Sequence, residues 1–386
     1  QCRWVKGAMG TSKCRVCGNE FFEEPLLRFE NMPKAAQYFP DADSLGSEKG
    51  VNLEVCQCSG CGLVQLANDP VPYYKDVIRA VAFSGEMRDF RLKQFAGFVQ
   101  AYSLEGKKII EIGCGCGEYL SLMGQFGVEA YGLEHSEESV KHCIRNGLRV
   151  SQGFIHAGDC GLDHAPFDGF YILNFLEHLP DPNSLLRGIY NNLTNEAVGL
   201  VEVPNFDMIL KQRLFSEFIG DHLFYFTKET LNTTLGLNGF EIIEHKALWH
   251  NYILSAVVRK KHRMDLSSLD NYQIYLKQHL CEFINRFGHK QVAIWGAGHQ
   301  ALALISLMDL SDKIKYVVDS ALFKQNKYTP ASHIPVVSPD TLNSDPVDAV
   351  IVMAASYSDE VATILRDQYD SRIQVSIVRD YGLELP

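Results

Sequence analysis

Short apolar runs alternate with amphipathic stretches along most of the chain. Between about residues 75 and 260 these runs are KKIIEIG, EAYGLE, FDGFYILN, AVGLVEVP, FEIIEH and YILSAVVRK. Helix-like stretches separate the first four runs, which predicts the alternating strands and helices of a doubly wound parallel sheet. Only KALWHN separates the last two runs, so these strands are predicted to pair antiparallel.

A second series of the same kind follows a polar stretch from Lys260 to Asp270, which we interpret as a linker. Strands are predicted at QVAIWG, IKYVVDS, DAVIVMAA and IQVSIV, with helices between them, in a series that begins at about residue 272. Residues 11 to about 70 hold only short apolar runs, such as LEV and GLVQL, and cannot bury much core without a metal. The pattern predicts three domains, over residues 11–72, 73–260 and 261–386.

Composition narrows the class of protein and its partners. The 386 residues, 46% of them hydrophobic, suffice for two or three separate cores. A net charge of −11 disfavours nucleic acid or an anionic membrane as partner, because either selects a basic face. The chain has no apolar run of transmembrane length and no apolar core of signal-peptide length near its start. We therefore expect a cytoplasmic protein without a membrane partner; its oligomeric state is left open, a monomer included.

Two CxxC knuckles, Cys14-Arg-Val-Cys17 and Cys58-Ser-Gly-Cys61, are separated by 40 residues, and each is followed by glycine. This pattern predicts a closed, structural Cys₄ zinc site. Cys56 is an alternative ligand because it lies two residues before Cys58, but Cys58 has the standard spacing to Cys61. Unrelated buried thiols or a redox CxxC are the other interpretations. The segment lacks the basic and aromatic residues of a nucleic-acid-binding zinc module.

A glycine loop follows the first strand of the larger series. The segment KKIIEIGCGCGE places Gly113, Gly115 and Gly117 between a strand and a helix, where glycine permits a sharp turn and a close approach of a ligand. The next strand, EAYGLE, ends in Glu134, 17 residues beyond Gly117. A carboxylate there can accept both hydroxyls of a ribose, so the loop predicts a nucleoside ligand.

Two further features favour S-adenosylmethionine over a dinucleotide. Glu111 lies inside the strand, two residues ahead of Gly113, as is typical of class I methyltransferases, whose loop holds no pyrophosphate. The run FDGFYILNFLEHLPDP places Asn174 at a strand end, facing the methionine moiety, and Glu177 and His178 at the cofactor edge. Glu177 and His178 can instead be no more than the cap of the following helix.

These motifs together resemble the sugar C-methyltransferases of deoxysugar biosynthesis, over nearly the whole chain. The stretches that carry the resemblance are CRVCG, CSGCGLVQL, EIGCGCGEYL, NFLEHLPDP, VEVPNF, FSEFIGDHLFYFT, KQNKYTPASHIPV and AASYSDEV. The resemblance implies an α/β protein with a class I methyltransferase Rossmann-like domain over residues 73–260. A small zinc-binding domain at 11–72 and a second Rossmann-like, substrate-binding domain at 261–386 would flank it.

The resemblance also implies a reaction, the transfer of a methyl group from S-adenosylmethionine to carbon of a nucleoside-diphosphate keto-deoxysugar. A base removes the acidic proton beside the ketone, and the resulting enolate attacks the sulfonium methyl. In related enzymes a histidine follows a carboxylate in the FSEFIGDHLFYF segment, so His222 is the expected base. Asp221 is expected to orient His222 or to raise its basicity.

This chain departs from the family pattern at two places. Family members tend to have a tyrosine three residues before the histidine, where this chain has Ile219. Tyr74 is the expected replacement as donor to the enolate, with Tyr73 and Tyr225 as alternatives that also contact substrate. The segment starting at His250 lacks the glycine-rich turn of the family.

The second series has its own glycine loop, VAIWGAGHQA, and its second strand ends in Asp319, 21 residues past Gly298. Taken alone, this is a dinucleotide fingerprint, and NAD is a possible ligand. The resemblance instead implies that this turn and helix start help to bind the sugar nucleotide. The residues so implied are Gly296, Gly298, His299, Lys324, Tyr328 and His333.

Two other functions remain open at this point. One is methyl transfer to oxygen or nitrogen of a sugar or small natural product, which requires the same cofactor loop without enolate chemistry. The other is a non-catalytic, zinc-stabilised module that senses nucleotides, against which the intact glycine loop and Glu134 argue.

Overall fold

The computed structural model describes residues 11–34, 36, 39–75 and 84–385. Residues 1–10, in which we expect no signal peptide, lie outside the described range. The described residues form two compact units, the first ending at His262 and the second beginning at Arg263. The division into three domains at residues 72 and 260 remains a prediction. No helix in the described part of the chain has both the length and the apolar character needed to cross a membrane.

A small antiparallel sheet holds the cysteine knuckles. Three of its strands come from the amino-terminal segment, and the fourth is supplied by residues beyond position 220, in the order β1-β2-β3-β9. Leu66 N also donates a hydrogen bond to Leu223 O over 2.9 Å. The small sheet is thus completed by the segment that carries His222. The strands are β1 (Leu27–Met32), β2 (Val51–Gln57), β3 (Val64–Leu66) and β9 (Phe224–Tyr225).

The larger sheet of the first unit has seven strands in the order β10-β11-β8-β7-β4-β5-β6. The five strands from β8 to β6 in this order are parallel, while β10 and β11 pair antiparallel with each other and β11 pairs antiparallel with β8. The predicted doubly wound sheet and its antiparallel final pair are confirmed. The strands are β4 (Lys108–Ile112), β5 (Glu129–Glu134), β6 (Val150–Gln152), β7 (Phe167–Leu173), β8 (Leu193–Pro204), β10 (Phe240–Leu248) and β11 (Ile253–Lys260).

Helix starts in this unit follow local capping chemistry. The side chain of Asp181 caps a helix by accepting from Ser184 N over 2.9 Å, and Pro182 occupies the first turn. Glu177 and His178 lie earlier, in a separate 3₁₀ turn, so they are not the helix cap. The helices are α1 (Gly85–Ala101), α2 (Glu118–Met123), α3 (Glu137–Arg145), α4 (Pro182–Asn191), α5 (Phe206–Gln212) and α6 (Lys228–Leu237).

The two sheets of the first unit share one hydrophobic core. Leu53, Val55 and Leu66 of the small sheet belong to the same buried cluster as Ile172 and Val203 of the large sheet. Burial of this apolar surface, about 25 cal/mol for each Å², couples the stability of the cysteine segment to that of the larger sheet.

The second unit is again a seven-stranded α/β sheet, in the order β14-β15-β13-β12-β16-β17-β18. Apolar clusters cover the sheet on both faces, which confirms the second Rossmann-like fold. The strands are β12 (Val292–Trp295), β13 (Ile314–Val318), β14 (Lys327–Tyr328), β15 (Pro335–Val337), β16 (Ala349–Val352), β17 (Gln374–Arg379) and β18 (Gly382–Glu384), and the helices are α7 (Ser267–Ile284), α8 (His299–Leu307), α9 (Thr341–Ser344) and α10 (Ser358–Gln368).

The linker prediction was partly wrong, because α7 begins at Ser267, inside the stretch interpreted as a linker. Leu276, Leu280, Phe283 and Ile284 recur at helical spacing and are buried, so they hold this helix against the sheet. The polar residues that suggested a linker form its exposed first turns.

Candidate active site

The four predicted zinc ligands lie together. Cys14 Sγ is 3.7 Å from Cys61 Sγ and Cys17 Sγ is 3.3 Å from Cys58 Sγ, and all four sulfur atoms lie within 4.8 Å of one another. Sulfur atoms about 2.3 Å from a tetrahedral zinc ion are about 3.8 Å apart, so the donor set fits such an ion. Cys56 is buried in β2 and is not part of this cluster.

Backbone amides surround these sulfur atoms. Val16 N donates to Cys14 Sγ over 3.4 Å, and Gly60 N donates to Cys58 Sγ over 3.3 Å. The glycines after the two knuckles, Gly18 and Gly62, have φ of 77° and 78°, a conformation that other residues rarely adopt. The two knuckles therefore have the same local geometry, which suits thiolates that share one metal ion.

The glycine loop of the first unit is a tight left-handed turn. Gly113, Gly115 and Gly117 have φ of 72°, 55° and 84°. A side chain at position 117 would place its Cβ 2.4 Å from Leu148 Cδ1 and 2.9 Å from Cys143 Sγ. Glycine is required at this position both for its conformation and for the space.

Glu134 ties this loop to the end of β5. Its carboxylate is buried, and it accepts hydrogen bonds from Gly115 N and Ser136 N, each over 2.8 Å. Each carboxylate oxygen can accept a second hydrogen bond, so both remain able to bind ribose hydroxyls. Glu134 thus holds the glycine loop in place, in addition to its predicted role in ribose binding.

The other predicted cofactor residues lie at neighbouring strand ends. Glu111 is buried in β4 and accepts a hydrogen bond from Tyr171 Oη over 3.1 Å. Asn174 follows the end of β7, is exposed, and has φ of 50°, while its N–H donates to Glu202 O over 2.9 Å. A left-handed asparagine at the carboxyl end of a parallel strand is well placed to contact a ligand.

A narrow cleft of about 10 Å³ lies beside Gly113. Among its lining residues, Lys75 Nζ lies 5.1 Å from the ring centre of Phe154, and the Tyr74 ring meets Phe154 edge-on at 6.4 Å. The cleft is smaller than an adenosyl group. The cleft is lined by Lys75, Ile112, Gly113, Leu133, His135, Gly153, Phe154, Ile155, Phe175 and Leu185.

Two histidines and a carboxylate meet beyond the end of β7. The rings of His178 and His222 have centroids 4.8 Å apart and are nearly perpendicular. His178 Nε2 is 3.8 Å from Glu177 Oε1. His178 Nδ1 is 2.8 Å from Asp221 O, and because a carbonyl only accepts, Nδ1 carries the proton and Nε2 presents a lone pair.

Burial shifts the pKa values in this cluster. Burial, followed by the nearby His178, lowers the pKa of His222 to about 3, and burial raises the pKa of Glu177 to about 8. Burial thus favours the neutral imidazole of His222, because the imidazolium would lose hydration.

Asp221 does not act on His222 as predicted. Its Oδ1 accepts from Tyr73 Oη over 2.7 Å and its Oδ2 accepts from Ala36 N over 2.8 Å, so the carboxylate is directed to the amino-terminal segment. Only its backbone carbonyl reaches the histidine cluster, through His178. Asp221 lies in a turn closed by a hydrogen bond from His222 N to Ile219 O over 3.2 Å, and its side chain leaves this turn on the side of Tyr73 and Ala36.

The three tyrosines proposed as donors have different surroundings. Tyr73 is held beside the His222 segment through Asp221, whereas Tyr74 packs on Phe154. Tyr225 is buried, and its hydroxyl accepts from Ile219 N over 3.2 Å. Tyr225 therefore braces the backbone of position 219, and a substrate contact by its hydroxyl is not supported.

The turn that lacks glycine still adopts a glycine-like conformation. Trp249, His250 and Asn251 have φ of 47°, 59° and 66°. Three consecutive left-handed residues are strained and persist only where surrounding contacts hold them. Asn205 supplies such contacts, because its Nδ2 donates to Asn251 O and its N–H donates to Tyr252 O, each over 2.8 Å.

The second glycine loop differs from a dinucleotide site in how its acid is used. Asp319 accepts from Ala297 N over 2.8 Å, from Ala321 N over 2.9 Å and from Lys324 Nζ over 2.9 Å. Gly296 has φ of 116°, and a Cβ there would lie 2.6 Å from Met353 O. Glu134 accepts the same kind of loop hydrogen bonds, and Asp319 differs from it by the additional ion pair with Lys324.

The remaining predicted residues of this unit are exposed. His299 starts α8, and Tyr328 and His333 belong to the hairpin of β14 and β15 at one edge of the sheet. A separate pocket of about 340 Å³ lies at the carboxyl end of the parallel strands, and sequence reasoning missed its residues. It is lined by Tyr272, Leu276, Gln300, Leu304, Ala355, Val378, Arg379 and Asp380.

Two family models match consecutive parts of the chain. A family model described as a methyltransferase domain matches residues 83–245, and one described as a C-methyltransferase C-terminal domain matches residues 250–377. C-methyltransferase NovU of Streptomyces niveus is 24% identical over 384 residues, 90% of this chain and 91% of that protein. The chain therefore combines a methyltransferase domain with a C-methyltransferase C-terminal domain, and it is an S-adenosylmethionine-dependent methyltransferase.

Other similarities concern only part of the chain. The ubiquinone biosynthesis O-methyltransferase of Stutzerimonas stutzeri (strain A1501) is 37% identical over 91 residues, 22% of this chain and 39% of that enzyme. The solved structure of the CcbJ methyltransferase from Streptomyces caelestis aligns with 49% of this chain and 98% of its own, at 18% identity and a TM-score of 0.39.

The sequence analysis did not predict a buried charge cluster in the first unit. Arg91 of α1 is fully buried, and its Nη1 lies 2.5 Å from Glu202 Oε2 in β8. Gln94 Nε2 donates to the other oxygen of Glu202. The backbone carbonyl of Glu202 accepts the hydrogen bond from Asn174 N, and β8 pairs with β7. The ion pair therefore supports the end of β7. An acidic residue within the apolar run VEVP was the available signal.

Proposed function

We propose that this C-methyltransferase acts on a nucleoside-diphosphate keto-deoxysugar and methylates the carbon beside its ketone. The observation that carries the proposal is the pair of partly exposed imidazoles, His178 and His222, beyond the end of β7, the strand that also presents Asn174. The full-length similarity to a C-methyltransferase supports chemistry at carbon.

His222 is the proposed base. Burial favours its neutral form, so a lone pair is available to take the proton from the α-carbon of the substrate. The electrons of that C–H bond then form the enolate, whose carbon makes the new bond. S-adenosylmethionine held there would supply the electrophilic methyl group, and the electrons of the broken S–CH₃ bond would stay on sulfur as a thioether. Gly113, Gly115, Gly117, Glu111, Glu134 and Asn174 are the proposed cofactor contacts, with Glu177 and His178 beside them.

Tyr73 is the tyrosine best placed to help this step. Its hydroxyl donates to Asp221, the neighbour of His222, and a small rotation can redirect it to an enolate oxygen. Tyr74 packs on Phe154, which lines the cleft beside Gly113, and is proposed to move when the cofactor binds.

We propose a structural zinc ion at Cys14, Cys17, Cys58 and Cys61. The four sulfur atoms and the amides that surround them fit a closed Cys₄ site. The ion would stabilise the small sheet, whose fourth strand β9 begins two residues after His222. Zinc would thereby fix the position of the base without entering the reaction.

The second unit is proposed to hold the nucleotide part of the substrate. The free N–H groups at the start of α8, beside Gly296, Gly298 and His299, suit a diphosphate. Lys324, Tyr328 and His333 are further proposed contacts. The additional ion pair of Asp319 with Lys324 disfavours NAD in this place.

Solvent exchange tests the proposed function. The substrate incubated with the enzyme in deuterated water, without cofactor, should exchange its α-hydrogen, observed by proton NMR. His222→Asn should abolish the exchange, and His262→Asn, an exposed histidine outside the cluster, should retain it. Methylation without any exchange, or exchange that survives in His222→Asn, would favour transfer to oxygen or nitrogen. Calorimetry that detects no binding of S-adenosylmethionine would favour the sensing module.

A further inference from the structure

We propose that Glu177, His178 and His222 form a second metal site, which binds a divalent transition-metal ion of the zinc type. One atom of each residue lies within 4.8 Å of the other two, in an arrangement separate from the four cysteines. His178 Nε2 and Glu177 Oε1 are 3.8 Å apart. Ligands about 2.1 Å from a tetrahedral ion are about 3.4 Å apart, so side-chain shifts below about 1 Å would close the site.

The carboxylate of Glu177 is buried without a cation or a hydrogen-bond donor beside it among the described residues. The residue is fully buried, and neither of its oxygens accepts a hydrogen bond from another described residue. Buried carboxylates without a partner are unfavourable and are normally paired, protonated or bound to a metal. The lone pair of His178 Nε2 is on the same side as Glu177 Oε1, so two acceptors lie near each other without a donor between them.

His178 has the orientation typical of a metal-binding histidine. Its Nδ1–H donates to the backbone carbonyl of Asp221 over 2.8 Å, which fixes the ring and leaves Nε2 for a metal. Histidine ligands usually donate their second nitrogen to a carbonyl or carboxylate in this way. Leu223 N donates to Glu177 O over 2.8 Å, so a backbone hydrogen bond joins the segment of Glu177 and His178 to that of His222.

The donor set selects the class of ion. Two imidazoles and one carboxylate suit zinc, cobalt, nickel or iron, whereas magnesium and calcium prefer oxygen ligands alone. Three protein ligands leave a fourth position open. His178 and His222 are each partly exposed, so an ion can reach the site.

The ion would act as an inhibitor of methyl transfer, an effect that rests on the proposed function. An imidazole lone pair bound to a metal is not available to remove a proton. Occupancy of this site therefore blocks His222 as base, while the zinc ion at the cysteines supports the same segment. Free zinc would then have opposite effects at the two sites.

Cobalt titration of the full chain, already holding one equivalent of zinc, tests the site. We expect a second equivalent to bind with weak d–d absorption and without the strong thiolate charge-transfer bands of cysteine ligation. Glu177→Gln and His178→Ala should each weaken this binding at least about tenfold. His262→Ala is the matched control, because His262 Nε2 also lies 3.7 Å from a carboxylate, that of Glu196, but on the surface. Circular dichroism checks that each variant is folded.

Two outcomes overturn the proposal: no second equivalent in the wild type, or equal binding by Glu177→Gln, which would leave a proton as the partner of Glu177. The exchange assay separates this failure from that of the proposed function. If the protein with one zinc equivalent exchanges the α-hydrogen but binds no second metal equivalent, only the second metal site is refuted. Binding of the second equivalent in a protein that never exchanges the α-hydrogen refutes the role of His222 as base alone. If both proposals hold, the second equivalent lowers the exchange rate at least about tenfold.

Discussion

At the scale of single residues, several side chains serve both the fold and the site. Glu134 was predicted as a ribose acceptor from its spacing to Gly117, and its carboxylate also fixes the glycine loop through Gly115 N. Spacing predicts where such an acid lies because strand ends in a parallel sheet are adjacent. It does not predict side-chain direction, and Asp221 is directed away from its neighbour toward Tyr73 and Ala36, partners remote in sequence.

Gly117→Ala should weaken both stability and cofactor binding. A left-handed alanine costs about 1–2 kcal/mol, and the contacts with Leu148 and Cys143 add about 1–3 kcal/mol. Gly106→Ala is the control, because Gly106 has φ of 71° and open space around its Cβ position. Urea unfolding should show the larger loss for Gly117→Ala, and calorimetry should show weaker S-adenosylmethionine binding for that variant only. Equal losses would contradict the packing argument.

Asp319 should make the protein more sensitive to acid. Burial alone would raise the pKa of Asp319, but hydrogen bonds from Lys324, Ala321 and Ala297 outweigh it and lower the pKa below the ordinary 3.8. Its contribution is therefore present above pH 3.8 and is lost as the pH falls through the lower folded-state pKa. When the pH is lowered from about 5 to about 2.5, the urea midpoint of unfolding should fall more in the wild type than in Asp319→Asn. Asp312→Asn, an exposed position, should follow the wild type.

At the scale of elements, local pattern predicted most strands but not the pairings between distant segments. The hairpin of β10 and β11 followed from the short KALWHN connection. Strand β9 has only two residues, Phe224 and Tyr225, and it exists because β3 pairs with it, so no local signal marks it. The start of α7 was hidden because its first turns are polar and exposed.

Breaking the ion pair between α1 and β8 should be strongly destabilising. Glu202→Gln leaves the buried guanidinium of Arg91 without its counter-charge, which costs about 3–5 kcal/mol. Glu196→Gln is the matched control on the same strand, because Glu196 is exposed and should change stability by less than about 0.5 kcal/mol. Urea unfolding of the two variants measures the difference. Similar stabilities would show that the buried pair contributes little.

At the scale of the whole molecule, the cysteine site and the proposed base belong to one structure. Chelation of the metal should loosen the small sheet and with it the segment of β9, so the rate of α-hydrogen exchange should fall at least about tenfold. Readdition of zinc to one equivalent should restore the rate, and circular dichroism should show the second unit intact. Full exchange activity in the metal-free protein would contradict the coupling.

The pairing of β3 with β9 also bears on how the enzyme matures. Val64 pairs with Tyr225, 161 residues later in the chain. Closing a loop of that length has an entropic cost that contacts elsewhere must first offset. During synthesis on the ribosome, the cysteine knuckles emerge long before their fourth strand. The cluster of His178 and His222 is therefore expected to form late in folding, after the parallel strands of the large sheet have paired.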